Sequence, residues 1–339
     1  MSEVMIQVEG LTKDYGDFRA VNQISFEVRS GEVLGFLGPN GAGKSTTMKM
    51  LTCFLSPTAG TARVAGFDVY EQSLEVRQNL GYLPEDTPLY KDMSVLEYLE
   101  FICSIREVPR SERRPRLKRM VDVCGLGPML GKLIGELSKG YRQRVGLAQA
   151  MIHEPKIVLL DEPTSGLDPN QIVEIRQLIK EVGRERTVIL STHILPEVQA
   201  TCSRVVIIAG GRLVADGTPD ELGARERGNR YRVVIEQNGT PAGESGAPSA
   251  RLAIAEKLGQ LPGVARCAEA DGESGTYQFT VDGSGSGDLR KPLFRAAVDN
   301  GWSLLELQRQ GASLEDVFRK LTRDDGVSGP KAQDTSGIQ

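Results

Sequence analysis

Apolar and polar positions alternate, or run apolar for four or five residues, in the first part of the chain. Residues 4–9 (VMIQVE) and 24–29 (ISFEVR) read as strands, and 33–37 as a buried strand running straight into a glycine-rich loop. A helix follows from about 45 to 55. Pro57, Gly60 and Gly66 punctuate a short strand at 62–65. From about Thr87 the pattern turns helical. Ser94 and Glu97 form a capping box, the hydroxyl accepting from the third helical amide and the carboxylate reaching back. Leu96, Leu99 and Ile102 recur at helical spacing. From Ile157 the period changes again: strand 157–161, helix 169–182, strand 187–191, helix 195–200, strand 204–209. A last strand is expected over 211–216 and a short capped helix over 218–222. Strands alternating with helices predict an α/β sheet, largely parallel, with a helical subdomain inserted at about 86–140.

Composition then shifts. Residues 237–250 (QNGTPAGESGAPSA) carry Gly, Pro and Ser with no bulky apolar side chain, the mark of a flexible loop. Around it the pattern predicts strand 231–236, helix 251–261, strands 264–269 and 277–281, helix 288–298, strand 303–308 and a helix 313–321 capped by Ser313. That β-α-β-β-α-β order predicts a small α+β, ferredoxin-like domain. The expected division is thus 1–225, 226–322 and a disordered tail 323–339 with little to bury.

Charge and cysteine usage narrow the class. Forty-one basic against 45 acidic residues leave a net charge of −4, so bulk charge offers nucleic acid no attraction. The arginine-rich stretch 106–119, interrupted by Pro109 and Pro115, mixes acids with its bases and reads as a solvated helical face. No apolar run approaches the roughly 18–20 residues that span a bilayer. The opening MSEVMIQVEG lacks a basic-then-apolar pattern, so a signal peptide is not expected. Five scattered cysteines without metal spacing read as reduced thiols of a cytoplasmic protein. With His153 and His193 the only histidines, a histidine-built metal site is not expected.

Chemistry concentrates in four segments. The run GPNGAGKST has the spacing Gly38-x4-Gly43-Lys44-Ser45 of a phosphate-binding loop between a strand and a helix. Its glycines let the backbone N–H groups of Gly38, Asn40, Gly41, Ala42, Gly43 and the residues to Thr46 approach phosphate oxygens, with Pro39, which has no N–H, completing the cofactor-binding loop, and the helix N-terminus favours the anion. Lys44 would reach the β- and γ-phosphates, and the Ser45 hydroxyl would bind Mg²⁺. The run IVLLDEP ends a buried strand in Asp161 and Glu162. Asp161 would hold Mg²⁺, and Glu162 would act as general base on the attacking water. In STH, His193 follows the strand 187–191 and would contact the γ-phosphate. Leu137–Arg144 (LSKGYRQR) adds small polar residues that could seal a nucleotide from a facing subunit.

Taken in order, these segments resemble the ATPase subunit of ATP-binding cassette (ABC) transporters over about residues 5–222. The resemblance implies a P-loop NTPase fold binding ATP and Mg²⁺. By it, Tyr15 would stack on adenine. Ser138 and Gly140 would close on the γ-phosphate held by a second copy of the chain, and Asp168 in SGLD would lie at that interface. The chain departs from the family in two places. The family usually reads LSGGQ where this chain has Leu137-Ser-Lys-Gly-Tyr141. It commonly has glutamine where GYLPED places Glu85, which would still offer Mg²⁺ an oxygen but adds a negative charge. GYLPE, LSKGYRQR and the C-terminal LPGV, GWSLLEL and SLEDVF resemble exporter ATPases of the gliding-motility, multidrug and nitrous-oxide-reductase-maturation group.

The implied protein is a peripheral ATPase on the inner face of the cell membrane, paired with itself and coupled to a separate integral-membrane permease, without nucleic acid. Residues after Glu85, with the helix opening at Ser94, would form part of the docking surface. A soluble cassette acting on ribosomes or DNA would carry two cassettes or long heptad insertions. This chain has one glycine loop and no sustained heptads. A regulatory module that binds ATP without turnover is the other alternative, motivated by Glu85 and Lys139.

Overall fold

A computed structural model describes residues 3–225, 230–237, 248–270, 275–285, 287–310, 315, 318, 319 and 321. The chain divides into two compact units, one built on Met1–Pro219 and the other on Asp220–Arg319. The division falls at Pro219, where the sequence pattern places it after 225. The expected tail 323–339, most of the loop 237–250 and most of the helix 313–321 lie outside the described residues.

In the first unit, β1 (Val4–Tyr15) and β2 (Phe18–Arg29) form a long bulged hairpin. The strand β3 (Val33–Leu37) leads through the glycine loop into α1 (Lys44–Leu51), and β4 (Ala59–Val64) and β5 (Phe67–Asp68) complete a four-stranded antiparallel sheet ordered β2-β1-β4-β5. The short helix α2 (Ser73–Asn79) feeds β6 (Leu80–Leu83), two elements the sequence pattern leaves unassigned. Helices α3 (Val95–Ile105), α4 (Arg110–Cys124) and α5 (Lys139–Met151) follow. Then come β7 (Ile157–Asp161), α6 (Pro169–Gly183), β8 (Thr187–Thr192), α7 (Leu195–Thr201), β9 (Arg204–Ala209) and β10 (Arg212–Gly217), and α8 (Pro219–Arg225) opens the second unit.

These strands build a six-stranded sheet ordered β10-β9-β3-β8-β7-β6. It is parallel from β9 to β6, and β10 closes one edge antiparallel. Every residue of β7 and β8 is buried, which is why both read as continuous apolar runs rather than alternations. The core lies between the two sheets, where Met48, Met50 and Leu51 of α1 are fully buried beside Ile6, Phe26, Phe36 and Ile189. The Phe26 and Phe36 rings pack 5.6 Å apart across it.

The capping box at Ser94 and Glu97 is present as expected. The prolines act differently from the sequence expectation. Pro109 is the N-cap of α4 and Pro115 lies inside that helix. Six residues in, a proline forgoes one backbone bond to Ser111, and the helix continues. The arginines there are largely engaged: Arg116 with Glu112 and Glu154, Arg119 with Glu154 and Glu185. Among the described residues no helix is long and apolar enough to cross a membrane.

His153 ties α5 to the edge strand, its Nε2 lying 3.1 Å from the Leu80 carbonyl oxygen. Burial, with Arg106 adding to it, pulls its pKa down to about 4. The unfolded chain, with a histidine near 6.5, therefore binds the extra proton between these values. The neutral side chain's full contribution is present above about pH 6.5 and is lost as pH falls toward 4. His153→Gln is expected to flatten the decline in Tm between pH 6.5 and 4.5, read by thermal unfolding against the wild type.

The second unit has β11 (Arg230–Gln237), α9 (Pro248–Gly259), β12 (Val264–Ala270), β13 (Tyr277–Gly283), α10 (Arg290–Asp299) and β14 (Trp302–Gln310). The antiparallel order β12-β13-β11-β14 is the ferredoxin-like arrangement. Tyr231, Val233, Ile235 and Phe279 pack against Ile254, Leu258 and Leu293 of its helices.

Candidate active site

The strand order decides which residues meet. Because β8 lies between β3 and β7, the carboxyl ends of those three neighbours carry the glycine loop, His193 and the acid pair, the usual place for ligands in such sheets. The loop is shaped by close backbone approach. A Cβ on Gly38 would stand 2.4 Å from the Ile208 carbonyl oxygen, and one on Gly43 (φ +103°) 2.5 Å from that of Ala20. Gly41 is also left-handed (φ +79°) but open to solvent. Backbone bonds from Gly38 N to Thr192 O (3.3 Å) and from Gly211 N to Ala42 O (3.1 Å) fix the loop to the sheet.

Lys44 is 5% exposed. Its Nζ donates to the carbonyls of Gly38 (2.8 Å) and Pro39 (3.2 Å) and stands 3.3 Å from Glu162 Oε1. The other carboxylate oxygen, Oε2, lies 2.9 Å from His193 Nδ1. Lys44, Glu162 and His193 thus form one continuous line, with Glu162 buried and the His193 side chain 43% exposed. Glu162 holds a left-handed backbone (φ +48°), a conformation a non-glycine residue keeps where its surroundings impose it.

Asp161, the residue before Glu162, is 2% exposed, and its Oδ1 has no hydrogen-bond partner. Burial pushes its carboxyl above the usual range, while the nearby Ser191 and Ser45 hydroxyls act in the opposite direction. A glycine cradle that a Cβ would fill, an inward ammonium and a buried carboxylate beside a serine hydroxyl fit a triphosphate and a divalent cation. Mg²⁺ is commonly held by one or two protein oxygens together with phosphate oxygens.

The remaining expected residues stand apart from this line. No hydrogen bond or ion pair among the described residues joins Tyr15, Ser138, Gly140 or Asp168 to Lys44, Asp161 or Glu162. Tyr15 is half exposed, with Lys13 Nζ 5.5 Å from its ring centre. Ser138 caps α5, accepting from Tyr141 N at 3.3 Å, and Asp168 caps α6, accepting from Gln171 N at 2.9 Å. Glu85 is exposed, 3.4 Å from Ser165 Oγ. Lys139 lies across the SGLD loop, where a Cβ on Gly166 would meet its Nζ at 2.3 Å. A Cβ on Gly140 would meet Gln171 Cδ at 2.7 Å. Sequence reading missed Thr164, Thr192 and Glu197, three buried polar residues behind the site. Glu197 sits one position before an apolar residue in a short helix and carries no motif that announces it.

A profile of the ABC transporter family matches residues 21–165. The probable multidrug ABC transporter ATP-binding protein YbhF of Escherichia coli is 40% identical over 66% of this chain, which spans 39% of that protein's length. The daunorubicin resistance ATP-binding protein DrrA3 of Streptomyces coeruleorubidus is 35% identical over 96% of this chain and 98% of its own. Among solved structures, cbiO1 of Clostridium perfringens, part of the ABC transporter complex cbiONQ, superimposes with a TM-score of 0.60 and 31% identity, covering 65% of this chain and 90% of that one. With the glycine loop, the acid pair and the histidine in place, and a relative matched almost end to end, the chain belongs to the ABC transporter ATP-binding proteins.

Proposed function

We propose that the chain binds and hydrolyses ATP as a head-to-tail pair of identical copies, driving export through a separate membrane permease from the cytoplasmic face. The observation that carries this reading is the line Lys44–Glu162–His193 at the mouth of the glycine cradle. In it, Lys44 and the loop amides hold the β- and γ-phosphates. Ser45, Asp161 and Glu85 would hold Mg²⁺, which when bound offsets phosphate charge. Glu162 takes the proton of the attacking water as its oxygen bonds to the γ-phosphorus and the bond to ADP breaks. His193 orients Glu162 and contacts the γ-phosphate.

Across the pair, Ser138, Gly140 and the opening amides of α5 would close on the partner copy's nucleotide, with Asp168 at the interface. The half-exposed ring of Tyr15 suits adenine stacking. Residues 226–322 serve as an accessory module. Export is supported by the drug-resistance name of DrrA3, and a permease partner by the transporter complex that contains cbiO1.

A surface for that permease is available on the helical subdomain. A groove of 760 Å³ opens between α2, α3 and the segment after Glu85, lined by apolar Leu74, Tyr90, Phe101 and Ile105 together with the arginines Arg77, Arg106 and Arg116. Leu74, Tyr90 and Ile105 are each more than half exposed, and Tyr90 packs on Phe101 at 5.5 Å. Exposed apolar side chains gathered in a groove are what a partner's helix buries. Tagged protein purified from detergent-solubilised membranes is expected to bring down one polytopic membrane protein. Ile105→Asp should lose that protein and retain ATP binding. Equal recovery with both would remove the groove from the interface, and ribosomal or DNA-bound partners would overturn the transporter reading.

A further inference from the structure

We propose that Glu197 is a positioning residue: its buried carboxylate fastens the loop that carries Glu162 to the loop that carries His193. This rests on the reading of that pair given above. Glu197 lies in the first turn of α7 and is 2% exposed. Thr164 Oγ1 donates to its Oε1 at 2.6 Å, and Thr192 Oγ1 donates to its Oε2 at 2.9 Å. The same Thr192 oxygen accepts from Ile194 N at 3.0 Å. Thr164 stands two residues after Glu162, and Thr192 immediately before His193.

The brace lies where regular structure gives out. The parallel ladder of β7 and β8 ends at the pair Asp161 and Ser191. Beyond it, one backbone bond still crosses, from Glu162 N to Ser191 O at 2.9 Å. Apart from the Glu162–His193 contact itself, the next connection between the two loops runs through the Glu197 carboxylate. Its helix is itself seated on β3, the strand that leads into the phosphate loop: a Cβ on Gly35 would meet Val198 Cγ1 at 2.7 Å and Cys202 Sγ at 3.1 Å. One side chain therefore keeps the ends of β7 and β8 in register and ties them to the helix packed on β3.

Energetics point the same way. No lysine or arginine pairs with Glu197 among the described residues, so two threonine hydroxyls offset the burial of its carboxylate. An apolar trio of the same shape would fill this space without that penalty, and replacing buried charged groups so is often neutral or stabilising. What the polar trio adds is direction. Hydrogen bonds fix the separation of the loops, and the 2.9 Å contact between Glu162 and His193 depends on it. A misplacement of about 1 Å at a reacting group can cost roughly 100-fold in rate.

The test uses the full-length protein with valine and serine at each threonine. Valine keeps the shape and removes the hydroxyl, and serine restores the hydroxyl. Thr164→Val and Thr192→Val are each expected to lower kcat by about tenfold, one charge-assisted hydrogen bond's share, with KM for ATP within about threefold. Thr164→Ser should return kcat to within about twofold of wild type, which a packing role would not predict. A second readout does not need turnover. In hydrogen exchange, Thr164→Val should speed exchange in 191–196 as well as in its own loop, and Thr192→Val should do the reverse. Valine variants with wild-type kcat, or with exchange raised in their own loop alone, would overturn the brace. Wild-type protein that hydrolyses no ATP would instead reject the catalytic reading, and the exchange experiment would still decide whether Glu197 links the loops.

Discussion

Glu162→Gln is expected to lower the rate of ATP hydrolysis by about 10²–10⁴-fold, the range of a lost general base, while ATP still binds. Glutamine has the same shape and keeps one oxygen for Lys44 or His193, which stand 3.3 Å and 2.9 Å from the present carboxylate oxygens. What it cannot do is accept the water's proton. The bonds from Lys44 to the Gly38 and Pro39 carbonyls are not altered, so the cradle stays in place. Phosphate release measures the first effect and binding of a fluorescent ATP analogue the second. With hydrolysis blocked, ATP should also hold two copies together, seen as an elution shift in size-exclusion chromatography that wild-type protein loses as it turns over. Turnover within tenfold of wild type would place the base elsewhere.

Lys44→Ala acts on the step before. Its ammonium is almost completely buried and is held by two loop carbonyls and a carboxylate. Removing it should weaken ATP binding by roughly 100-fold, the worth of one or two charge-assisted hydrogen bonds. A second effect is on the fold. The Glu162 carboxylate, 6% exposed, would lose its cation and cost about 1–3 kcal/mol of stability. Neutralising it in Lys44→Ala/Glu162→Gln should recover part of the lost Tm without recovering ATP binding. A double variant no more stable than Lys44→Ala would show that Lys44 does not screen Glu162.

Much of this site could be read from the sequence because its backbone demands specific residue types. The turn at Gly43 tolerates no Cβ beside Ala20, so the glycine has to be written there. Asp161 and Glu162 end an apolar run because β7 is buried along its whole length. Helix α4 was harder, since a proline in a sequence reads as a break, and whether it breaks depends on which backbone bond it forgoes. Strand β6 is four residues long and gains its place by pairing with β7, which no local pattern records. Glu197 was illegible for a related reason. A glutamate in a short helix reads as a surface residue, and its burial follows from two threonines that are distant or unremarkable in sequence.

The order of strands also governs how the molecule can be made. The strand β3 has as its sheet neighbours β8 and β9, which end at Thr192 and Ala209. A ribosome adding about 5–20 residues per second leaves β3 without either partner for roughly 10–30 s. Through that interval Leu34, Phe36 and Leu37, each fully buried in the finished protein, are strand-forming apolar residues with open edges. The nascent chain must be shielded for that time, by its own hairpin and α1 or by a chaperone, before any nucleotide can help to hold it together.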